Sequence, residues 1–160
     1  MRYTEALGRH VVSTSTAVTI GVIENVLVEP VEQRVVALAL GKTAGSHRML
    51  PWGQIAAFGA DAVTVASDDV LVTDGRLAAL DGKDHAILGK QVLTTEGYRV
   101  GSVSDVEFDA ADGHVLSLLL DTYQWDGRLL LGVGSYAVMV RPQQIQAPEG
   151  LAPASQLRPY

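Results

Sequence analysis

Cysteine is absent from this chain of 160 residues. That absence excludes disulfides, thiolate metal sites and a cysteine nucleophile. The chain also lacks an apolar run near the roughly 20 residues that a membrane-spanning helix needs. Its first five residues, MRYTE, lack the apolar core of a signal peptide. We therefore expect no membrane insertion and a cytoplasmic location.

Clusters of basic residues are missing too. The chain has 12 Lys and Arg against 18 Asp and Glu, a formal net charge of -6, and its cations are scattered singly. Proteins that bind nucleic acid usually carry a basic excess, because neutralisation of phosphates drives their affinity. Direct binding of RNA or DNA is therefore disfavoured.

Metal-binding patterns are also lacking. No two histidines have the spacing of neighbouring ligands on a helix or strand, so we expect solvated or turn histidines at His10, His47, His85 and His114. The acidic run Asp105, Asp109 and Asp112 lacks the alternating ligands and closing glutamate of a calcium-binding EF-hand. A hairpin turn is the favoured interpretation of that run. The sequence predicts no metal and no cofactor.

The sequence patterns that resemble catalytic or nucleotide-binding motifs each lack a required residue or spacing. Gly41-Lys42-Thr43 resembles the end of a phosphate-binding loop, but Val36 stands where the first glycine of that loop is required. Gly132-x-Gly134 lacks the third glycine of a dinucleotide site. Ser46 and His47 are adjacent, which does not place a nucleophile against a base, and no Gly-x-Ser-x-Gly elbow occurs. We predict no catalytic residue and no enzymatic activity.

An internal repeat organises what is present. Residues 21–40 align without gaps to residues 101–120, and both copies have the turns and short apolar runs of β-structure. Each copy has a glycine inside its long strand, which marks a bulge or tight bend, as at a barrel corner. Identical pairs include Gly21 with Gly101, Val35 with Val115 and Leu38 with Leu118.

The most hydrophobic strands are predicted at 35–40 and 115–120. Alternation places their larger side chains on one face, which we assign to the barrel interior. The opposite face of the first strand is small but still apolar, so it requires cover, and we expect the second repeat or another subunit to supply it. A homo-oligomer is therefore one of the two arrangements that we expect. The interior set is Val36, Leu38 and Leu40 in copy one, and Leu116, Leu118 and Leu120 in copy two.

The copies diverge after these strands. Copy one passes through a polar loop, 41–47, whereas copy two is predicted to take a longer loop that includes residues 123–131. The predicted organisation is a first repeat at 1–70, a connection at 71–86, a second repeat at 87–146 and a flexible C-terminal tail at 147–160.

The order of these motifs, present twice, resembles the PRC-barrel family. Copy one has Leu7-Gly8-Arg9, then Ile20-Gly21-x-Ile23, an acidic-proline turn at Glu29-Pro30, the 35–40 strand and Leu50-Pro51-Trp52. Copy two repeats the pattern from Leu88-Gly89-Lys90 to Val115–Leu120, and Arg141-Pro142 departs from the commoner proline-aromatic ending. The resemblance implies an all-β chain with little helix, built as two tandem small β-barrels of PRC-barrel type, and it implies that Trp52 packs against the barrel, as an aromatic residue often does at this position in the family. It also implies binding to other proteins, because known members act in the photosynthetic reaction-centre H subunit and in a ribosome maturation factor.

Aromatic residues offer the best candidate for a binding surface, since they dominate interaction hot spots. We predict a protein interface, with a partner of unknown identity, at Tyr123, Trp125, Leu129 and Leu131. The alternative is that this segment folds over the first repeat. The functional hypothesis is a non-catalytic protein-binding or scaffold module. Two alternatives are a ribosome-assembly or RNA-metabolism accessory factor that docks on a protein, and a peripheral subunit of a membrane complex.

Overall fold

A computed structural model describes residues 1–144, and the predicted tail at 147–160 lies outside the described residues. The chain is all-β with two short α-helices, as predicted. The first repeat contains α1 (Tyr3–Ala6) and six strands. These are β1 (His10–Ser13), β2 (Thr19–Glu29), β3 (Arg34–Gly41), β4 (Met49–Pro51), β5 (Ile55–Phe58) and β6 (Ala62–Val65).

The second repeat has the same order of strands. They are β7 (Gln91–Thr94), β8 (Arg99–Phe108), β9 (Val115–Leu120), β10 (Gln124–Asp126), β11 (Leu130–Val133) and β12 (Val138–Val140). A 3-10 turn links the fourth and fifth strands of each repeat, at Trp52–Gln54 and Gly127–Leu129. Among the described residues, no helix is long and apolar enough to cross a membrane.

Each repeat builds one six-stranded sheet from its own strands. The order is β4-β3-β2-β1-β6-β5 in the first and β10-β9-β8-β7-β12-β11 in the second. All neighbours are antiparallel except β1 with β6 and β7 with β12. The pairing of β1 with β2, and of β7 with β8, slips by one residue beside Gly21 and Gly101, so the predicted bulges are confirmed.

The connection between the repeats covers the outer face of the first sheet. Leu27, Ala37, Ala39 and Met49 form a small buried cluster on that face, and Val72, Leu77 and Leu80 pack against it. The last two belong to α2 (Gly75–Leu80). Asp74 is its N-cap, and the Asp74 carboxylate accepts hydrogen bonds from the Arg76 and Leu77 N–H groups. The outer face of β3 is covered, as predicted. The connection supplies this cover at Ala37 and Ala39, whereas the second repeat or another subunit was expected to supply it.

The predicted interior set is wrong at its first residue in both copies: Val36 is half-buried whereas its neighbour Val35 is fully buried in the main cluster, and β9 shows the same exchange. Leu118 and Leu120 are buried as expected, whereas Leu116 is 47% exposed and its neighbour Val115 is buried. The pairing of β8 with β9 slips between Glu107 and Phe108, and the N–H of Val115 donates to the carbonyl of Gln33 in the first repeat. The start of β9 is therefore oriented by the contact between repeats and not by alternation within its own barrel.

Two reciprocal hydrogen bonds join the repeats at their equivalent hairpins. The Val35 N–H donates to the Gly113 carbonyl at 2.7 Å, and the Val115 N–H donates to the Gln33 carbonyl at 2.9 Å. Gln33 and Gly113 both have positive φ, +57° and +84°, because each closes its hairpin in the left-handed region. The two repeats thus meet around an approximate twofold axis.

The N-terminal segment of the first repeat lies on the second. The Met1 amino group donates to the Phe108 carbonyl at 3.0 Å, and the Phe108 N–H donates back to the Met1 carbonyl. The buried carboxylate of Asp105 accepts hydrogen bonds from the backbone and hydroxyl of Thr4. These contacts pair backbone groups near the end of β8.

Aromatic rings from both repeats form the centre of the joint. Phe108 is fully buried, and its ring lies 5.6 Å from the Phe58 ring and 6.2 Å from the Trp52 ring, edge-on to both. Trp52 stacks on Phe58 at 5.8 Å, so the expectation that Trp52 packs against the barrel is confirmed. Edge-to-face aromatic pairs at these distances are favourable. One apolar cluster consequently runs through both repeats.

Candidate interaction surface

The segment predicted as an interface loop is regular structure. Residues 124–133 form β10, a 3-10 turn and β11, which correspond to β4, the 3-10 turn and β5 of the first repeat. Gln124 pairs with Leu119 as Met49 pairs with Ala39, so Trp125 is the counterpart of Leu50. The longer loop between third and fourth strands is in fact in the first repeat, at residues 42–48 against 121–123.

Trp125 lies in the core, which corrects its assignment as a surface contact. Its side chain is 3% exposed, and its indole Nε1–H donates to the Arg141 carbonyl at 2.9 Å. A buried tryptophan needs such a partner for its N–H. Because Trp125 occupies the interior position of β10, it closes the second barrel as Leu50 closes the first.

The other three predicted interface residues are half-buried, and they divide into two groups. Tyr123 and Leu129 pack against the main apolar cluster. Leu131, on β11, belongs to neither buried cluster. The structure therefore buries Trp125 in the main apolar cluster, packs Tyr123 and Leu129 against that cluster, and leaves Leu131 outside it.

We expect Trp125→Ala to destabilise the protein by about 3–5 kcal/mol, since it removes a buried aromatic side chain. Chemical denaturation of the purified variant would measure the loss. Tyr136→Ala is the matched control, because Tyr136 is 75% exposed and should change the unfolding free energy by less than about 0.5 kcal/mol. If the Trp125→Ala protein were as stable as the parent, the assignment of Trp125 to the core would be wrong, and a surface position would be favoured.

An exposed ion pair and an exposed Asp–His hydrogen-bonded pair border the joint between the repeats. Hydrogen bonds from the Arg128 side chain and backbone hold the pKa of Asp126 below its ordinary value, and Arg128 Nη2 lies 2.8 Å from Asp126 Oδ2. The backbone N–H and then the side chain of His114 likewise lower the pKa of Asp112. Exposed pairs stabilise a fold little. They make the rim of the joint polar.

A groove of about 630 Å³ lies on the first repeat, beside the 42–48 loop. Val18, Ile20 and Leu71 supply apolar lining, while Lys42 and Asp68 supply opposite charges. His47 also lines it, and its Nδ1 lies 2.6 Å from the Thr73 hydroxyl, a partner that cannot orient a catalytic base as a carboxylate does. Within residues 1–144, no three His, Asp or Glu side chains are grouped as metal ligands.

Sequence reasoning missed the outer face of β7, β11 and β12. Leu93 and Met139 lie opposite each other on adjacent strands, both half-buried and both outside the two buried clusters. Leu131 lies near them on the next strand. A signal for this face was available in the sequence. At the positions of Leu93 and Met139 the second copy has larger apolar residues than the first.

Comparison with known proteins agrees with this architecture. The family model for the PRC-barrel domain matches residues 1–77 and again residues 82–147. A search of curated proteins found no match to the chain. Together the two matched segments span most of the sequence and coincide with the two six-stranded sheets. The chain therefore belongs to the PRC-barrel family and contains two tandem copies of the domain.

Proposed function

We propose that this protein is a non-catalytic protein-binding or scaffold module. The observation that carries the proposal is the filled interior of the tandem barrel. The main cluster contains buried side chains from both repeats, among them Leu38 and Leu50 of the first and Leu118, Trp125 and Leu130 of the second. Small barrels filled by side chains leave no interior ligand cavity, so recognition falls to their outer surfaces.

The joint between the repeats supports a role as a two-barrel platform. The reciprocal backbone bonds at Val35 and Val115 and the ring contacts of Phe108 hold the repeats together. A partner could therefore contact both barrels at once. PRC-barrel domains are known protein-interaction modules, and the family has no catalytic constellation to carry over to this chain.

The acidic charge of the chain favours docking on protein over direct contact with RNA. With a net charge of -6, the chain as a whole would be repelled by phosphates. A cytoplasmic location is part of the proposal. An accessory factor of ribosome assembly would dock through a ribosomal protein, and a peripheral subunit of a membrane complex would be held by a membrane-embedded partner.

The test is affinity purification of the tagged full chain from native extract, with detergent-solubilised membranes included and RNase in parallel. We expect one stoichiometric, RNase-resistant protein, whose direct binding is then measured with both proteins purified. Recovery of ribosomal proteins only without RNase would favour the assembly-factor alternative. Recovery of the bait alone from every fraction would refute the scaffold proposal.

A further inference from the structure

The outer face of β7, β12 and β11 carries an apolar row that the described residues leave partly exposed. Leu93 and Met139 are register partners in β7 and β12, and Gly132 of β11 is the register partner of Met139. All three are partly exposed, as is Leu131. A Cβ placed on Gly132 would meet no atom within 4 Å, so Gly132 leaves open space in this row. We call Leu93, Leu131, Gly132 and Met139 the outer row.

The first repeat shows that folding does not require this row. Val92 and Val138 pair as Val11 and Val63 do, so the counterparts of Leu93 and Met139 are Val12 and Thr64. Leu131 is the second residue of β11, and its counterpart is Ala56, the second residue of β5. The same sheet therefore forms with smaller or more polar residues at all three positions. Extra exposed apolar area with no structural need is typical of an interaction site.

The two segments that carry the outer row have a formal charge opposite in sign to that of the protein. Residues 88–102 and 129–143, which contain β7, β11, β12 and the start of β8, hold Lys90, Arg99 and Arg141 against a single acid, Glu96. Their formal charge is +2, which leaves -8 for the remaining residues and gives the total of -6. A cationic area on an acidic protein favours an acidic partner.

The cations flank the outer row on two sides. Arg141 is exposed two residues beyond Met139, where alternation returns to the same side of the strand, and its N–H donates to the Leu129 carbonyl just before β11. Lys90 lies at the start of β7, and its ammonium donates to the carbonyls of Lys83, Asp84 and Gly134, with no carboxylate in those bonds. A partner with an apolar side chain between carboxylates would match this arrangement.

The edge of the sheet indicates an extended partner. β11 is the last strand of its sheet and pairs only with β12 among the described strands. The Gln33 side chain donates to the Arg128 and Leu130 carbonyls and so occupies the start of this edge, leaving residues 131–133 beyond it. An extended peptide can lie along such a sheet edge and place alternate side chains against the adjoining face.

We propose that the outer row binds an extended acidic segment of another protein. An apolar side chain of that segment lies over Gly132 between Leu131 and Met139, and its carboxylates face Lys90 and Arg141, which lie toward the two ends of β11. This inference rests on the proposed function and assigns it a surface and a partner chemistry.

The experiment is selection of peptides from a random library against the immobilised full chain. We expect enrichment of peptides with Asp or Glu on either side of an apolar residue. Met139→Thr, combined with Leu93→Val to install the residues of the first repeat, should weaken binding of a selected synthetic peptide by about tenfold or more. Arg141→Glu should weaken it further and reduce its dependence on salt. Val18→Ser, at an exposed apolar site beside the 42–48 loop of the first repeat, is the control and should leave affinity unchanged.

Several outcomes would overturn the proposal. Selection of basic or uncharged peptides, the absence of any enriched sequence, or affinity unaffected by Met139→Thr would each do so. Self-association lost in the Met139→Thr variant would assign the surface to a second copy instead, and binding to phosphatidylserine vesicles without peptide binding would assign it to a membrane. If a purified natural partner still binds the Met139→Thr/Leu93→Val variant, the scaffold function stands and only this surface is wrong.

Discussion

Phe108→Ala is expected to destabilise the whole chain by about 3–5 kcal/mol, the usual cost of deleting a buried phenylalanine. Phe108 is fully buried and lies edge-on to Phe58 and Trp52 of the other repeat. The loss therefore falls on the joint as well as on the second barrel. For a chain of this size it corresponds to a fall in melting temperature of about 6–20 °C.

Calorimetry of the purified variant would measure this fall, and the shape of the transition tests the joint. Phe108→Val installs the residue of the first repeat, Val28, and should cost less because it leaves a smaller cavity. We expect both variants to melt in one transition, since one apolar cluster spans both repeats. A loss below about 1 kcal/mol, well under the usual cost, or separate melting of one repeat in the parent protein, would contradict this account of the joint.

Gly127→Ala should cost at least about 3 kcal/mol, at the upper end of overpacking penalties. A Cβ at this buried glycine would lie 2.0 Å from the Val115 carbonyl oxygen and 2.6 Å from its carbon. Both atoms are backbone, so no side chain can rotate away to relieve the clash. The start of β9, which carries one of the two reciprocal bonds between the repeats, would have to move.

Gly53→Ala is the matched control, because Gly53 lies in the equivalent 3-10 turn with no atom within 4 Å of its Cβ position. It should change stability by less than about 0.5 kcal/mol, the usual limit for a substitution that meets nothing. Chemical denaturation of the two variants side by side measures the difference. Equal stabilities would mean that the 127–129 turn relaxes freely and that its packing against β9 is not needed.

The two 3-10 turns tolerate residues of very different size at equivalent positions, because the residue that each turn contacts in the other repeat differs in the opposite sense. By strand register the counterpart of Gly127 is Trp52, and the counterpart of Gly113 is Gln33. In one half of the joint Trp52 lies against Gly113, where a Cβ would come within 3.1 Å of the ring. In the other half the Gln33 side chain reaches the Arg128 and Leu130 carbonyls beside Gly127. Each half therefore combines one long side chain with one glycine.

The sequence by itself determined the fold class, the duplication and the bulges. Hydrophobic periodicity and a gapless match between residues 21–40 and 101–120 can be read from the sequence, and strand alternation converts them directly into buried positions such as Leu38 and Leu118. Gly21 and Gly101 predicted the bulges, because a glycine inside a strand often marks a bulge or a tight bend.

Only the tertiary structure decided which aromatic residues are buried and what covers the first sheet. Trp125 reads as a loop residue until the register of β10 against β9 identifies it with Leu50, and that register depends on contacts distant in sequence. The same holds for Leu116, turned outward by the joint, and for the cover that α2 gives Ala37 and Ala39. The outer row became visible for the same reason, since Leu93 and Met139 are 46 residues apart along the chain and meet only when β7 pairs with β12.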